Sequence, residues 1–376
     1  MSDRSITILG IRGVPAQHGG FETFAEYLCE YLIARDWNVK VYCQEKGAGA
    51  IYYSEWQGVE RIHIPIKNTG PLGTIIFDLK SVIHSLRFNG VFLTLGYNTA
   101  IFNLLHLFAG KYNIINMDGI EWKRKKWGMV ARSWFWLNER FGCWFGSHLV
   151  ADHPRIRDHL ATRISEKKIT MIPYGGREIL EADEQILAEY GLQKDKYAIL
   201  IARAEPENSI LEVVEAFSAK KRGFKFVVLG EYWPESNAYH RAVMDVASDE
   251  LFFPGAIYDM EKIGALRLFA RVYVHGHKVG GTNPSLVEAL GAGNAIIAHD
   301  NKFNRWVAKG GALYFDGACS IGVAFDKIFS DDELVKGLQS ESKENFQKNF
   351  QWEDILGQYE RLFVRSLGGK ELDDAV

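Results

Sequence analysis

The feature that most constrains the fold is the alternation of short apolar runs with helical patterns along most of the 376 residues. The runs are rich in Val, Ile and Leu and mostly lack polar–apolar alternation, which is typical of strands buried on both faces of a parallel sheet. We expect strands at residues 5–10, 38–43, 61–65, 91–96, 112–117, 147–152, 169–175, 197–202, 224–230, 250–255, 271–276, 295–300 and 312–316. The alternation with helices predicts an α/β fold with two doubly wound domains.

The domain boundary is indicated by a charged segment, residues 177–196, that separates two sets of strands. We expect a first domain over residues 1–176 and a second over 190–350. A final helical pattern over about residues 352–367 carries one apolar face. Either domain could receive that helix, and a return onto the first domain is one of the two arrangements.

Charge and cysteine usage exclude several classes of protein. A net charge of −3 and a pI near 6.4 give no global attraction for nucleic acid. The four cysteines (Cys29, Cys43, Cys143 and Cys319) form no C-x-x-C pair, which disfavours a disulfide framework or a structural zinc site. The N-terminus is too polar for a signal peptide, and no run approaches the roughly 18 apolar residues of a spanning helix. We therefore expect a cytoplasmic protein, with peripheral association to the inner membrane left open.

The first strand is followed by a glycine-rich loop, "GIRGVPAQHGG", that lacks both the G-x-G-x-x-G spacing of a dinucleotide site and the G-K-[ST] ending of a P-loop. Gly10 and Gly13 open the loop, and a helix is expected to begin near Phe21. The N-terminus of that helix would face whatever lies against Gly19 and Gly20. The loop is either an anion site or a mobile connection.

A second strand end carries a cation. The strand in "ILIARAEPENSILEVVEAF" ends at Arg203, and a helix is expected after Asn208 or Ser209, both of which are good N-caps. An arginine at the carboxyl end of a strand suits a diphosphate because its guanidinium offers forked donors. The alternative is a local ion pair of Arg203 with Glu205 or Glu207.

A third strand end, in "VHGHKVGGTNPSLVEAL", runs through Gly280 and Gly281 into a helix capped by Thr282 or Asn283. Glu288 lies just over one turn inside this helix. Its carboxylate could accept two hydroxyl groups of a ribose, or it could be a helix acid that faces solvent.

Together, in order and over nearly the whole chain, these strand ends resemble the retaining GT-B glycosyltransferases of the family-4 type. In that family a GG-x-E loop opens the first domain, which "GGFE" matches, and "IPYGG" is similar to the segment that closes it. More narrowly, "RGVPAQHGGFETF", "DGIEWKR", "EPEN", "GGTNPSLVEAL" and "AHDNKFNR" resemble a bacterial rhamnosyltransferase-like subgroup of surface polysaccharide assembly.

The resemblance implies a fold and an activity. The fold would be GT-B, with two doubly wound Rossmann-like domains facing across an interdomain cleft. The activity would be a retaining hexosyl transfer, with rhamnose as a candidate sugar, from a nucleotide-diphosphate donor to a glycan or lipid-linked acceptor. No cofactor is expected beyond the nucleotide sugar as co-substrate, and no metal, because the chain has no D-x-D triplet.

The resemblance also implies site residues. Asp118 and Arg203 are the catalytic candidates. The donor-binding candidates are Gly19, Gly20, Arg203, Asn208, Gly281, Thr282, Asn283 and Glu288. Lesser candidates that flank the glycine loops are His18, His275, His277 and Lys278. Asp118 stands where relatives carry a His near the donor sugar, and its alternative role is an N-cap or a partner of Lys123 or Arg124.

Two positions depart from the family pattern. Gly280 replaces the first acid of the Glu-x7-Glu motif, and Asn208 replaces the Lys that follows the strand-end Arg by five residues. Lys278 and Arg177 are candidates to supply the missing charge. We interpret the two changes as altered donor recognition.

Five of the ten tryptophans lie in residues 121–145, with apolar residues spaced by three and four and with several basic residues beside them. Such a helix suits an anionic membrane interface, which would bring the enzyme to a lipid-linked acceptor. An interior helix or a dimer-facing helix is the alternative.

Two other function classes remain open at this point. A nucleotide-sugar 2-epimerase uses the same two-domain architecture but needs an acid–base set around the sugar. A non-catalytic GT-B scaffold in a polysaccharide assembly complex is suggested by the missing Glu and Lys.

Overall fold

The structure is a computed structural model that describes residues 4–17, 19–68, 70–124 and 126–368, and its chain divides into two compact units. Unit 1 comprises the residues up to Tyr174 together with those from Trp352 onward, and unit 2 runs from Gly175 to Gln351. The first residues of the charged segment belong to unit 2, where the Ile179 N–H donates to the Gly291 carbonyl at 2.9 Å.

Unit 1 is built on an eight-stranded sheet in the order β3-β4-β2-β1-β5-β6-β7-β8. Its strands are β1 (Ser5–Leu9), β2 (Asn38–Lys46), β3 (Tyr52–Trp56), β4 (Val59–Ile66), β5 (Val91–Leu95), β6 (Tyr112–Asn116), β7 (His148–Ala151) and β8 (Ile169–Met171). The described strand pairs are parallel, apart from β3, which runs antiparallel to β4.

The helices of unit 1 cover both faces of this sheet. They are α1 (Gly20–Ile33), α2 (Gly70–Ser85), α3 (Asn103–Phe108), α4 (Met129–Phe145), α5 (Pro154–Ala161) and α14 (Trp352–Leu367). The apolar face of α14 packs against α1, with the rings of Phe24 and Tyr359 4.7 Å apart. The side-chain amide of Asn116 donates to the Tyr359 hydroxyl at 2.8 Å, so the last helix of the chain completes the core of unit 1.

Unit 2 contains a six-stranded sheet in the order β11-β10-β9-β12-β13-β14, and all its described pairs are parallel. Its strands are β9 (Tyr197–Ile201), β10 (Lys225–Leu229), β11 (Leu251–Phe252), β12 (Val272–His275), β13 (Ala295–His299) and β14 (Ala312–Phe315). Its helices are α6 (Ile186–Glu189), α7 (Ile210–Ser218), α8 (Ala238–Asp245), α9 (Met260–Leu268), α10 (Pro284–Gly291), α11 (Lys302–Ala308), α12 (Ala318–Ser330) and α13 (Asp332–Asn349). Apolar clusters cover both faces of the sheet, as buried parallel strands require.

The predicted α/β class with two doubly wound units is confirmed, and every predicted strand is present. Two of them are shorter than expected, since β8 and β11 end at Met171 and Phe252. The antiparallel strand β3 was not predicted, because it lies at the sheet edge with mostly exposed or half-buried residues and carries no buried run. The turn that joins β3 to β4 is formed by Gln57 and Gly58, which both have positive φ, as a type I′ hairpin turn requires.

Candidate active site

The strand order of unit 2 places β9 and β12 side by side at the point where the winding of the sheet reverses direction. In open α/β sheets, ligands bind outside the carboxyl ends of the strands at such a switch point. The two predicted strand ends, which carry Arg203 and Glu288, follow these two neighbouring strands. The topology therefore brings both predictions to one edge of one sheet.

Arg203 is exposed just beyond β9, and among the described residues its guanidinium makes no ion pair. Buried side chains bind the backbone carbonyl groups of the loop that carries Arg203. The side-chain amide of Asn208 donates to the Arg203 carbonyl at 2.8 Å, and Nε2 of His240 lies 2.9 Å from the Ala204 carbonyl oxygen. Asn208 is only 4% exposed, so the structure places it as a support of the Arg203 loop.

The loops after β9 and β12 are joined directly. A Cβ at Gly276 would lie 2.0 Å from the Asn208 carbonyl oxygen, so this position requires glycine. The Ser209 hydroxyl donates to the Gly276 carbonyl at 2.8 Å, and Ser209 itself holds a left-handed φ of 53°. Lys278 forms an ion pair with Glu212 of α7 at 2.7 Å. Its charge, which was a candidate to replace the Lys that the family pattern has at position 208, is therefore already paired.

The N-terminus of α10 is built as the sequence predicts. Asn283 is the N-cap, and its side chain accepts the Ser285 N–H at 3.0 Å, while Pro284 opens the helix. Gly281 lies just before the cap, and Thr282 is buried. The N–H groups of this turn are used within it, since those of Leu286 and Val287 both donate to the Asn283 carbonyl at 3.1 Å, so the turn offers an anion the positive end of the helix dipole.

Glu288 is partly exposed and forms an ion pair with a buried arginine. Its Oε2 lies 2.5 Å from Nη2 of Arg267, a buried cation on α9. Arg267 also lies 3.4 Å from the Ser285 hydroxyl, which in turn is 2.5 Å from the hydroxyl of Tyr273 on β12. Burial raises the pKa of Tyr273 to about 12, so its hydroxyl stays protonated and the network keeps a fixed set of donors.

His275 ends β12 and is completely buried, and its ring stacks on that of His277 with centroids 4.3 Å apart. Neither ring nitrogen of His275 has a hydrogen-bond partner among the described residues. Burial, together with the neighbouring His277 and His299, lowers the pKa of His275 well below its ordinary value, so the ring is neutral. The other lesser candidate, His18, lies outside the described residues.

The glycines of the unit 1 loop differ in their backbone conformation. Positive φ occurs at Gly10 and Gly13, while Gly19 is extended and Gly20 begins α1. A Cβ at Gly10 would lie 2.3 Å from the Leu95 carbonyl oxygen, so the loop leaves β1 in close contact with β5. A Cβ at Gly19 would meet nothing within 4 Å, which leaves open space at the N-terminus of α1.

Asp118 follows β6 with a left-handed φ of 51°, a conformation that costs energy in any residue except glycine. Its carboxylate accepts the Gly119 N–H at 2.7 Å. The turn is fixed by the buried hydroxyl of Tyr97, which donates to the Gly119 carbonyl and accepts the Glu121 N–H, at 3.1 and 2.8 Å. Arg124, one expected alternative partner of Asp118, forms an ion pair with Glu121.

Within the described residues, no group of three or more His, Cys, Asp or Glu side chains lies together in a way that could hold a metal ion. No described helix has both the length and the apolar character needed to cross a membrane.

Comparison with protein families assigns each half of the chain. Residues 182–350 match the family described as glycosyl transferases group 1, and this range covers most of unit 2 with the Arg203 loop and Glu288. Residues 3–177, in unit 1, match a domain of unknown function, DUF1972.

Three known proteins are similar to this chain in sequence or in fold. An uncharacterized glycosyltransferase of Methanocaldococcus jannaschii is 26% identical over 233 residues, which span 58% of this chain and 58% of that relative. Sucrose-phosphate synthase of Thermosynechococcus elongatus superposes with a TM-score of 0.80 at 16% identity, over 98% of this chain and 100% of that one. Anabaena HepE, solved in complex with UDP, superposes with a TM-score of 0.73 at 12% identity, over 96% and 99% of the two chains. The superpositions confirm the predicted GT-B fold, and the match of residues 182–350 to glycosyl transferases group 1 agrees with the predicted class, a glycosyltransferase.

Sequence reasoning missed the residues that hold the site in place. None of the motifs used for the prediction pointed to them. They are Arg267, Tyr273 and Ser285 in unit 2 and Tyr97 in unit 1. Arg267 had no specific sequence signal, because a basic residue in the last turn of a helix is common, and only its burial shows that it needs a carboxylate partner. No pattern in the sequence indicated which carboxylate that would be.

Proposed function

We propose that the protein transfers a sugar, with rhamnose as the leading candidate, from a nucleoside diphosphate to a glycan or lipid-linked acceptor in bacterial surface polysaccharide synthesis. The observation that carries the proposal is the exposed Arg203, which has no ion-pair partner among the described residues, at the switch point of unit 2 beside the capped N-terminus of α10. The UDP complex of HepE supports a nucleotide-linked donor for this fold.

In this proposal, unit 2 stabilises the leaving diphosphate. Arg203 supplies charge-assisted hydrogen bonds, and the N-terminus of α10 supplies the positive end of its helix dipole. Donors fixed in advance where negative charge develops are the largest single source of rate enhancement in many enzymes. Gly281, Thr282 and Asn283 shape this end, while Asn208 fixes the loop that carries Arg203.

Glu288 is suited to accept ribose hydroxyl groups, because one of its carboxylate oxygens is held by Arg267 and the side chain remains partly exposed. In unit 1, Asp118 is suited to hold a sugar hydroxyl, and the open space at Gly19 and Gly20 is suited to an incoming ligand. Transfer with retention and without a metal follows from the family resemblance and from the absence of a D-x-D triplet in the sequence.

Membrane association is supported by the outward face of α4. Met129, Val130 and Trp144 are 84%, 87% and 58% exposed, and the guanidinium of Arg140 lies 3.3 Å from the ring centroid of Trp136. Exposed apolar residues beside cations fit an anionic lipid surface. The exposure disfavours the alternative of an interior helix.

The opposite face of α4 is tied to unit 1 by a buried carboxylate. Glu139 accepts from Nε1 of Trp122 at 2.7 Å and pairs with Nε of Arg163 at 2.8 Å. Burial alone would raise the pKa of Glu139, but the hydrogen bonds from His159 and Trp122 and the charge of Arg163 lower it below its ordinary value. The apolar face is thus presented on a firmly anchored helix.

The proposal is tested by thermal-shift titration of a panel of nucleotide sugars and nucleoside diphosphates. We expect one donor and its nucleoside diphosphate to stabilise the wild type and the control Lys221→Gln, an exposed cation on the same unit. Arg203→Gln should weaken that binding about 10- to 100-fold, as expected for a lost charge-assisted hydrogen bond. No thermal shift with any nucleotide would favour the scaffold. Product analysis without acceptor tests the epimerase, which would form an altered nucleotide sugar.

A further inference from the structure

A pocket of about 330 Å³ lies within unit 1, at the carboxyl ends of β1, β2 and β4. It is separate from the residues of unit 2 that the proposed function assigns to the donor. The first half of the glycine loop forms one wall, from Arg12 to Gln17, and the start of α2 forms another. Its size lies at the lower end of the range of small-molecule sites, which is about 300–1,000 Å³.

The wall is shaped by a close backbone approach. A Cβ at Gly13 would lie 2.8 Å from Sγ of Cys43, and Gly13 has a φ of 135°. No other residue fits there without displacing β2 or the loop. The "RGVP" part of the motif is thereby explained by this pocket and not by the N-terminus of α1.

Three cations line the pocket, Arg12, Lys46 and Arg61, and among the described residues none of them has an ion-pair partner. Arg61 is half-buried, and its Nη1 donates to the Val14 carbonyl at 3.4 Å. Its Nε is buried and lacks a hydrogen-bond partner in the described part of the chain. A buried, unpaired guanidinium N–H is costly unless a ligand completes it.

Two carboxylates also line the pocket, but both already accept hydrogen bonds from the protein. Glu45 Oε1 lies 2.8 Å from Nδ1 of His63, whose other nitrogen is 2.6 Å from the Ser54 hydroxyl. Glu22 Oε2 accepts the Gln17 N–H at 3.2 Å. The acids are thus engaged while the three cations are not, and the pocket favours a ligand with negative charge.

We propose that this pocket binds a saccharide that carries a phosphoryl group. Three cations, two of them arginines with forked donors, match a dianion better than a single carboxylate. The remaining polar groups, on Gln17, Gln44, Asn68 and Thr74, suit sugar hydroxyls. That the occupant is the acceptor rests on the proposed function; the binding itself does not.

The test is calorimetric titration of the full chain with hexose 1-phosphates and 6-phosphates, the parent hexoses, glucuronate and inorganic phosphate. Arg12→Gln and Lys46→Gln should each weaken hexose phosphate binding about tenfold or more, as loss of a charged hydrogen bond predicts. Lys80→Gln, an exposed cation of α2 outside the pocket, is the matched control and should leave the binding unchanged. Arg61 is half-buried, so it is replaced by Lys, which keeps the positive charge and limits the risk that the variant fails to fold.

Absence of hexose phosphate binding would overturn the proposal, and so would binding that is insensitive to Arg12 and Lys46. Glucuronate or inorganic phosphate bound as tightly as the sugar phosphates would overturn the assigned ligand. Vesicles of phosphatidylcholine with phosphatidylglycerol test a lipid source. If Arg12→Gln weakens vesicle binding while no hexose phosphate binds, the pocket takes a headgroup and the proposal fails.

Titration of the same proteins with nucleoside diphosphates separates the two proposals. Nucleotide binding that needs Arg203, without sugar phosphate binding, would sink the pocket assignment and leave the proposed function standing. Sugar phosphate binding that needs Arg12, without nucleotide binding, would do the reverse. Nucleotides that displace the sugar phosphate and depend on Arg12 would show that the pocket is a nucleotide site.

Discussion

Arg267 and Glu288 form an ion pair between α9 and α10, with Nη2 of the arginine 2.5 Å from Oε2 of the glutamate. The side chain of Arg267 is 5% exposed and that of Glu288 is 26% exposed. The carboxylate that we assign to the donor ribose is thus fixed from the inner side by a buried cation. The pair links the stability of unit 2 to the geometry of the donor site.

The two partners of this pair should respond differently to truncation. Glu288→Ala leaves a buried guanidinium without its carboxylate, and Nε of Arg267 already lacks a partner among the described residues. We expect this variant to lose about 1–3 kcal/mol of unfolding free energy. Arg267→Met leaves a carboxylate that solvent can reach and should lose less. Urea denaturation measures both, with Glu215→Gln, an exposed acid of α7, as the control.

Donor binding should depend more on Glu288 than on Asp118. Glu288→Gln keeps the side-chain shape, and it should still weaken nucleotide affinity about tenfold, because a charged acceptor is lost. Asp118→Ala should leave nucleoside diphosphate affinity nearly unchanged and reduce transfer. Calorimetry with the nucleoside diphosphate checks this order, and the reverse order would mean that the ribose site is misplaced.

The positive φ of Asp118 gives a second comparison at the same residue. Asp118→Gly and Asp118→Ala both lose the hydrogen bond from the Gly119 N–H, but only glycine relieves the backbone strain, so the glycine variant should be the more stable of the two. If the carboxylate holds a sugar hydroxyl, both variants should lose activity by a similar factor. Activity retained in the glycine variant would assign Asp118 a purely local role in the turn. Thermal melts together with transfer assays distinguish the two cases.

The fold could be predicted because each strand of the two sheets, apart from β3, is a short buried apolar run that needs no tertiary context to be seen. The cap at Asn283 and the cation at Arg203 could be placed because they follow such runs directly. The ion pair of Arg267 and Glu288 could not, since it joins two helices whose spacing only the packed sheet determines. Which loop glycine makes a close backbone approach could not be predicted either, because this depends on the neighbouring strand, and it occurs at Gly10.

Asp78 on α2 should make stability depend on pH. Burial raises the pKa of its carboxyl to about 7 from an ordinary value of 3.8, although the Thr99 hydroxyl donates to it at 2.7 Å. The folded state therefore holds this proton more tightly than the unfolded state. The stabilisation is fully present below about pH 4 and is lost as the pH rises through about 7, by at most about 4 kcal/mol.

Asp78→Asn cannot ionise and removes this dependence. We expect the melting temperature of the variant to exceed that of the wild type by a larger margin at pH 8 than at pH 5. Taking the difference between variant and wild type cancels the other groups that titrate in this range, including His84, whose pKa is lowered by burial and by Arg87. A margin that stays constant from pH 5 to pH 8 would show that the Asp78 carboxyl does not hold a proton in the folded state near neutral pH.

The exposed face of α4 should control binding to anionic vesicles. Val130→Ser and Trp144→Ser remove apolar area that is 87% and 58% exposed, so they should leave the melting temperature nearly unchanged and lower the vesicle-bound fraction in flotation. Neutralising the basic residues from Lys123 to Lys126 should lower it further and reduce its sensitivity to salt. Ile83→Ser, at a 53% exposed position on α2, is the matched control and should bind as the wild type does. If the wild type does not float with the vesicles, or if the α4 variants float as it does, this face meets a protein partner instead.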